Sequence, residues 1–162
     1  MQDKPVALVT GANTGIGLQI AKDLAAQGFT VLIGSRNLES GEATAKSVDA
    51  DARAVQLDVT DQASIAAAAE RIRNKLGRLD LLVNNAGISH AEGPASSLPS
   101  SLAERARAGH LSVAALDEVR KVFETNVFGV IAVTQSMLPL LRQAPAAVRH
   151  FRSAQEKHRK DS

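Results

Sequence analysis

The sequence predicts an α/β fold, a doubly wound parallel sheet with strand order 3-2-1-4 and helices on both faces. Two observations carry that expectation. Short, continuously apolar runs alternate along the chain with segments whose apolar residues recur at helical spacing. Strand–helix alternation of this kind builds βαβ units with parallel strands. A glycine-rich turn, "TGANTGIG", also joins the first apolar run to the first helical pattern, and in doubly wound folds ligands sit at such turns, outside the carboxyl ends of the strands.

The elements follow in order. Residues 6–9 ("VALV") are apolar without interruption, the pattern of a parallel strand buried on both faces. Gly17, Ile20, Ala21 and Leu24 then share one helical stripe, which Gly28 closes. Residues 31–33 ("VLI") repeat the strand pattern, and 38–48 form a weaker helix interrupted by Gly41. The stretch 53–59 ("RAVQLDV") alternates, with Val55, Leu57 and Val59 on one side and Ala54, Gln56 and Asp58 on the other. Ile65, Ala69, Ile72 and Leu76 define a third helix, with Thr60 as its N-cap and Gly77 as its stop. Residues 81–83 ("LLV") give a fourth strand, directly before "NNAG".

Beyond it, residues 90–109, rich in Ala, Ser, Gly and Pro, read as a long loop at the carboxyl edge of the sheet. A last helix runs from about 116 to 141, with Val119, Val122, Phe123, Val127 and Ile131 at helical spacing. The expected sheet is incomplete: strands 1 to 4 are present, and strands 5 onward are missing. Residues 1–143 are expected to form one ligand-binding domain, and 144–162 a polar basic tail, poorly ordered or a short helix.

Composition narrows the function classes. A chain of 162 residues, 44% hydrophobic and 22% charged, suits one soluble domain with a real core. No apolar run reaches membrane-spanning length and no signal-peptide pattern opens the chain, so a cytoplasmic location without a membrane partner is expected. The absence of Cys excludes disulfides, thiolate nucleophiles and sulfur-ligated metals, and no metal site is expected. Trp and Tyr are also absent, which removes most base-stacking platforms. The net charge of +2 conceals a division: residues 144–162 carry +3 and the remainder −1. That tail has the composition of an ordinary solvated segment, and no nucleic-acid partner is expected.

The glycine turn carries the chemistry. A strand–glycine-turn–helix unit aims backbone N–H groups and a helix N-terminus at an anion. Gly11 suits the tight turn, Gly15 a backbone that approaches a pyrophosphate, and Gly17 a helix packed close to a strand. The competing reading is a tight turn with no ligand. At the end of the second strand an acidic residue would bind the ribose 2′-hydroxyl of NAD. This chain has "GSRN" there, with no carboxylate until Glu39. Arg36 could pair with a 2′-phosphate, which points to NADP(H); the competing reading is a solvated surface arginine.

Taken in order, "TGANTGIG", "GSR", "LDVTD", "NNAG" and "FETNVFG" resemble the short-chain dehydrogenase/reductase family, and most of all its NADPH-dependent, carbonyl-reductase-like members. The resemblance covers about residues 4–143. It implies a Rossmann-like sheet and hydride transfer between NADPH and a small carbonyl or alcohol substrate. By resemblance, Thr10, Gly11, Asn13, Thr14, Gly15, Ile16 and Gly17 hold the pyrophosphate, and Ser35 and Arg36 the 2′-phosphate end. Asp58 and Val59 flank the adenine ring, while Asn84, Ala86 and Gly87 line the adenosine ribose and stabilise the sheet. Asn126 matches the asparagine that supports the family's proton relay through a water. Read from the residues alone, an Asn inside this apolar helix either kinks it near a site or is a satisfied core amide.

The family's proton donor is a tyrosine in Tyr-x-x-x-Lys, with a serine on the preceding strand, and this sequence has no Tyr. Lys157 and Lys160 therefore have no phenol to serve, Ser153 lies in no strand-like context, and His90 and His110 read as plain loop histidines. Positioned general-acid catalysis contributes about 10²–10⁴-fold. The expectation is a chain truncated after its cofactor-binding half and inactive alone. The alternative is a non-catalytic NADP-binding module that regulates or pairs with a partner. The fourth strand is expected to be an open edge, and the helix 119–141, which in the family packs between subunits, a candidate association surface.

Overall fold

The computed structural model describes residues 4–49, 51–89 and 116–144. The sheet has four parallel strands: β1 (Val6–Thr10), β2 (Thr30–Ser35), β3 (Arg53–Gln56) and β4 (Leu81–Val83). Their order is β3-β2-β1-β4, the order expected of a doubly wound sheet built from two mononucleotide-binding halves. Leu8 is the hinge of the register, level with Leu32 on one side and Leu82 on the other. Helices α1 (Gly15–Ala26), α2 (Leu38–Val48) and α3 (Gln62–Leu76) connect the strands.

The continuous apolar strands are explained by two cores, one on each face of the sheet. Because successive strand side chains point to opposite faces, Val6, Leu8 and Leu32 meet α3 through Ile65, Ala69 and Ile72. Val9, Val31 and Ile33 face the other way, against Ala21 of α1 and Ala45 of α2. The alternation over 53–59 holds throughout, with Val55, Leu57 and Val59 buried. The strand itself is shorter than expected and ends at Gln56. The Leu57 N–H still donates to Ser35 O (2.9 Å). Then the Asp58 carboxylate accepts from the Thr60 N–H (2.9 Å) and hydroxyl (2.7 Å), folding the chain into a turn.

That turn also moves the helix cap by one residue. Asp61, not Thr60, is the N-cap of α3, its carboxylate accepting from the Ala63 N–H at 2.9 Å; the Thr60 hydroxyl is already committed to Asp58. Gly41, which weakens α2 as a sequence pattern, is buried where α2 crosses the sheet. A Cβ there would stand 3.2 Å from the Ser35 Cβ and 3.3 Å from that of Ala54. Close helix–sheet approach explains a glycine that propensity alone disfavours.

The expected helix over 116–141 is present but not continuous. It divides into α4 (Leu116–Phe123), a π-helical turn (Glu124–Phe128) and α5 (Gly129–Leu141). One face of α5, through Val133, Met137 and Leu140, completes the α3 side of the core. The other leaves Ile131 and Leu138 exposed, in line with Phe123, Val127 and Phe128. Among the described residues β4 is an edge of the sheet, and no helix is long and apolar enough to cross a membrane. The segment 90–109, His90, His110 and the tail 145–162 lie outside the described residues.

Candidate functional site

A cleft of about 550 Å³ opens at the carboxyl ends of the strands, within the size range of small-molecule sites. Gly11, Asn13 and Thr14 of the glycine turn form one wall, and Arg36 stands at the end of β2. Asp58, Val59 and Thr60 come from the turn after β3, and Asn85, Ala86, Gly87 and Ile88 from the chain after β4. Lys121, Glu124 and Thr125 reach the mouth from α4 and the π turn.

Glycines let these loops meet. Gly11 has φ +63°, and a Cβ on it would stand 2.9 Å from the Ala86 Cα, so the chains after β1 and β4 touch at this point. Gly17 is buried where a Cβ would lie 2.6 Å from Gly11 O and overlap the Asn85 amide. Its close approach is thus to the turn itself and to Asn85, more than to a strand. Gly15 differs: φ is +58° and the space a Cβ would enter is open. Thr14, the N-cap of α1, is extended and makes no side-chain cap bond. The first-turn N–H groups of α1 have no acceptor within the helix, and they carry the positive end of its dipole. Ile16, in that turn, is 77% exposed.

Beneath the cleft, Thr10 is buried and tied to the chain after β4. Its hydroxyl accepts from the N–H groups of Asn85 (3.0 Å) and Ala86 (2.9 Å). The Asn85 side-chain amide returns two bonds, to Thr10 O (2.9 Å) and Gly11 O (3.1 Å). Asn13 fastens the other side of the turn, its carbonyl accepting from the Thr44 hydroxyl of α2 (3.3 Å). Ser35 is buried at 3% exposure beneath Gly41, whereas Arg36 is exposed and has no ion-pair partner among the described residues. Lys121 and Arg36 are the cations lining the cleft; Asp58 and Glu124 are its anions.

Asn126 lies in the π turn and is neither a buried amide nor a simple kink. It is exposed, its side-chain oxygen accepts from the Ile88 N–H (2.9 Å), and its amide donates to the Ile88 carbonyl (2.7 Å). The wider turn brings this side chain onto the chain after β4, an arrangement in keeping with the frequency of π turns at functional sites. Gly129 follows, where a Cβ would stand 2.8 Å from Val59 O.

Of the residues picked from the sequence, Gly11, Asn13, Thr14, Arg36, Asp58, Val59, Ala86 and Gly87 line one cleft, with Thr10 beneath it. Asn84 does not: its amide donates to the Thr134 hydroxyl of α5 at 3.1 Å, on the other side of the strand end. Its neighbour Asn85 takes the inner position, which the alternation of side chains along β4 could have indicated. Lys121 lies outside the sequence motifs, and Glu124 and Thr125 lie within "FETNVFG" with no role implied by it, yet all three line the cleft. Their i, i+3, i+4 spacing marks a polar stripe beside the apolar one. Among the described residues no cluster of His, Cys, Asp or Glu could hold a metal.

Comparison with known proteins agrees with this architecture. A family model described as short chain dehydrogenase matches residues 5–148. (-)-Isopiperitenone reductase of Mentha piperita is 37% identical over 169 residues, spanning 86% of this chain and 53% of that protein. Salutaridine reductase of Papaver somniferum superimposes with a TM-score of 0.71 at 28% identity, over 87% of this chain and 54% of its own. A 3-ketoacyl-(acyl-carrier-protein) reductase of Brucella melitensis, solved in complex with NADH, gives a TM-score of 0.68 at 32% identity, over 84% of this chain and 50% of its own. The chain spans about half the length of the curated relatives it matches. With the family model covering most of its length and the sheet order and cleft in agreement, the chain belongs to the short-chain dehydrogenase family.

Proposed function

We propose that this chain is the NADP(H)-binding part of a short-chain dehydrogenase/reductase, the family reaction being hydride transfer between NADPH and a carbonyl or alcohol substrate. One observation carries the reading: Thr14, the uncapped N-cap of α1 beside the open space over Gly15, lines the same cleft as Arg36, and no carboxylate directly follows β2. These donors fit a dinucleotide. The N–H groups of residues 15–17, with Thr10, Gly11, Asn13 and Thr14 shaping the turn, would hold its pyrophosphate. Arg36 would pair with the ribose 2′-phosphate, beside the buried Ser35. Asp58 and Val59 would border the adenine, and Ala86 and Gly87 the adenosine ribose. When bound, the cofactor supplies the hydride.

Asn84, bonded to Thr134, acts in this reading as a strut between β4 and α5. Asn126 has both its side-chain groups on Ile88. Any support it gives a proton relay is by positioning the chain after β4. The 162 residues contain no tyrosine, so the reading assigns the proton donor to none of them, and these residues alone are expected not to reduce carbonyls. A second reading is a non-catalytic NADP-binding module that regulates or pairs with a partner. The exposed Phe123, Val127, Phe128 and Ile131 support association through 119–141.

Titration of the chain with NADPH and NADH, followed by cofactor fluorescence, tests the proposal. NADPH is expected to bind more tightly, and Arg36→Ala to remove roughly ten- to a hundredfold of that preference. Equal affinities that Arg36→Ala leaves unchanged would end the NADP(H) assignment.

A further inference from the structure

A second groove, of about 500 Å³, runs between the end of β3 and the first turns of α3. It shares Arg36 and Asp58 with the cleft, so the two spaces adjoin at the end where the 2′-phosphate is placed by the reading above. Its α3 wall is a stripe of Ser64, Ala67, Ala68 and Arg71, at i, i+3, i+4 and i+7. Arg71 closes that stripe.

We infer that Arg71 is a second specificity-determining contact for the ribose 2′-phosphate, acting across this groove with Arg36; the inference rests on the NADP(H) reading. Three features support it. Helical side chains lean toward the helix N-terminus, which aims Arg71 along the groove toward Ser64 and the cleft. Ala67 and Ala68, the residues between, are too small to block a guanidinium lying there. Arg71 is also exposed and makes no ion pair among the described residues. Its helical neighbours at i−3, i−4 and i+3 are Ala68, Ala67 and Asn74, and at i+4 stands Lys75. None of these helical neighbours is a carboxylate, and a like charge lies on its C-terminal side.

The remaining groups fit the same role. Asp58 bonds Thr60 in the turn before α3 and Asp61 caps the helix at Ala63, which accounts for carboxylates in a groove meant for an anion. The Ser64 oxygen already accepts from the Asp58 N–H (2.9 Å), leaving its hydroxyl proton for an incoming oxygen. Arg36 thus supplies the near charge, and Arg71 a second, more solvent-screened one.

The test is titration of the chain and of its Arg71→Ala, Arg36→Ala and doubly substituted forms with NADPH, NADH and 2′,5′-ADP. Arg71 is on the solvent side of α3, and circular dichroism verifies that each form folds. Arg71→Ala is expected to weaken NADPH and 2′,5′-ADP about two- to fivefold, less than Arg36→Ala, with NADH unchanged within error. If Arg71→Ala changes neither dinucleotide while Arg36→Ala weakens NADPH, the inference fails and the NADP(H) reading stands. An equal loss for NADPH and NADH also overturns it, because the contact would then not read the 2′-phosphate. If no form distinguishes the two dinucleotides, or none binds either, both readings fall together.

Discussion

Thr10→Val tests what holds the cleft together. Valine keeps the β-branched shape that suits a strand and fits the same buried volume, but it removes the oxygen that accepts from the Asn85 and Ala86 N–H groups. Both N–H groups lie beneath the cleft in partly buried surroundings. An unsatisfied buried donor costs about 1–3 kcal/mol. Because water reaches part of this region, the lower half of that range applies to each, about 2–4 kcal/mol in all. In urea, with a slope of about 2 kcal/mol per molar, the unfolding midpoint should fall by about 1–2 M. Amide exchange at Asn85 and Ala86 should accelerate more than exchange in α2. Thr10→Ser retains the acceptor and loses only a methyl group, so its cost should stay near 1 kcal/mol. An unchanged midpoint for Thr10→Val, or a Thr10→Ser form as unstable as Thr10→Val, would refute the reasoning. Thr10 would then be a strand residue and nothing more.

Two further expectations concern other contacts. Asn126→Ala removes both bonds to Ile88 from an exposed site and should cost about 1–2 kcal/mol, with faster amide exchange at Ile88; undiminished protection of that amide would show that the π turn, not the side chain, holds the loop. The Lys4–Asp51 pair joins two half-exposed side chains. Their mutual hydrogen bond holds the Asp51 carboxyl below its ordinary value of 3.8 and Lys4 above 10.5. Any stabilisation is therefore lost as pH falls through the lowered pKa of Asp51, or rises through the raised pKa of Lys4. Solvent screens both partners, so Asp51→Asn should leave the thermal midpoint unchanged within error from about pH 5 to 9 at physiological salt. A clear drop that high salt abolishes would show the pair to matter.

The patterns legible in the sequence were those set by local periodicity. Continuous apolar strands reported burial on two faces, and both cores exist, with Leu8 and Leu32 toward α3 and Val9 and Ile33 toward α1 and α2. The glycine turn announced its own geometry, since Gly11 and Gly15 occupy backbone conformations that other residues resist. Less legible were features that depend on which atom arrives first at a shared acceptor or donor. Thr60 and Asp61 are both acceptable caps by residue type; the choice fell to Asp61 because Thr60 is bonded to Asp58.

What the sequence determined by itself is the alternation of elements and the family motifs, because side-chain period and backbone freedom are properties of short stretches. The tertiary structure alone decided that Asn84 is bonded to Thr134 and that Thr10 fastens the floor of the cleft. It also decided that Asn126 reaches Ile88, thirty-eight residues earlier, through a π turn. Each of these is a hydrogen bond between groups far apart in the chain. Its partner is fixed only when packed helices and strands bring the two ends within about 3 Å of each other.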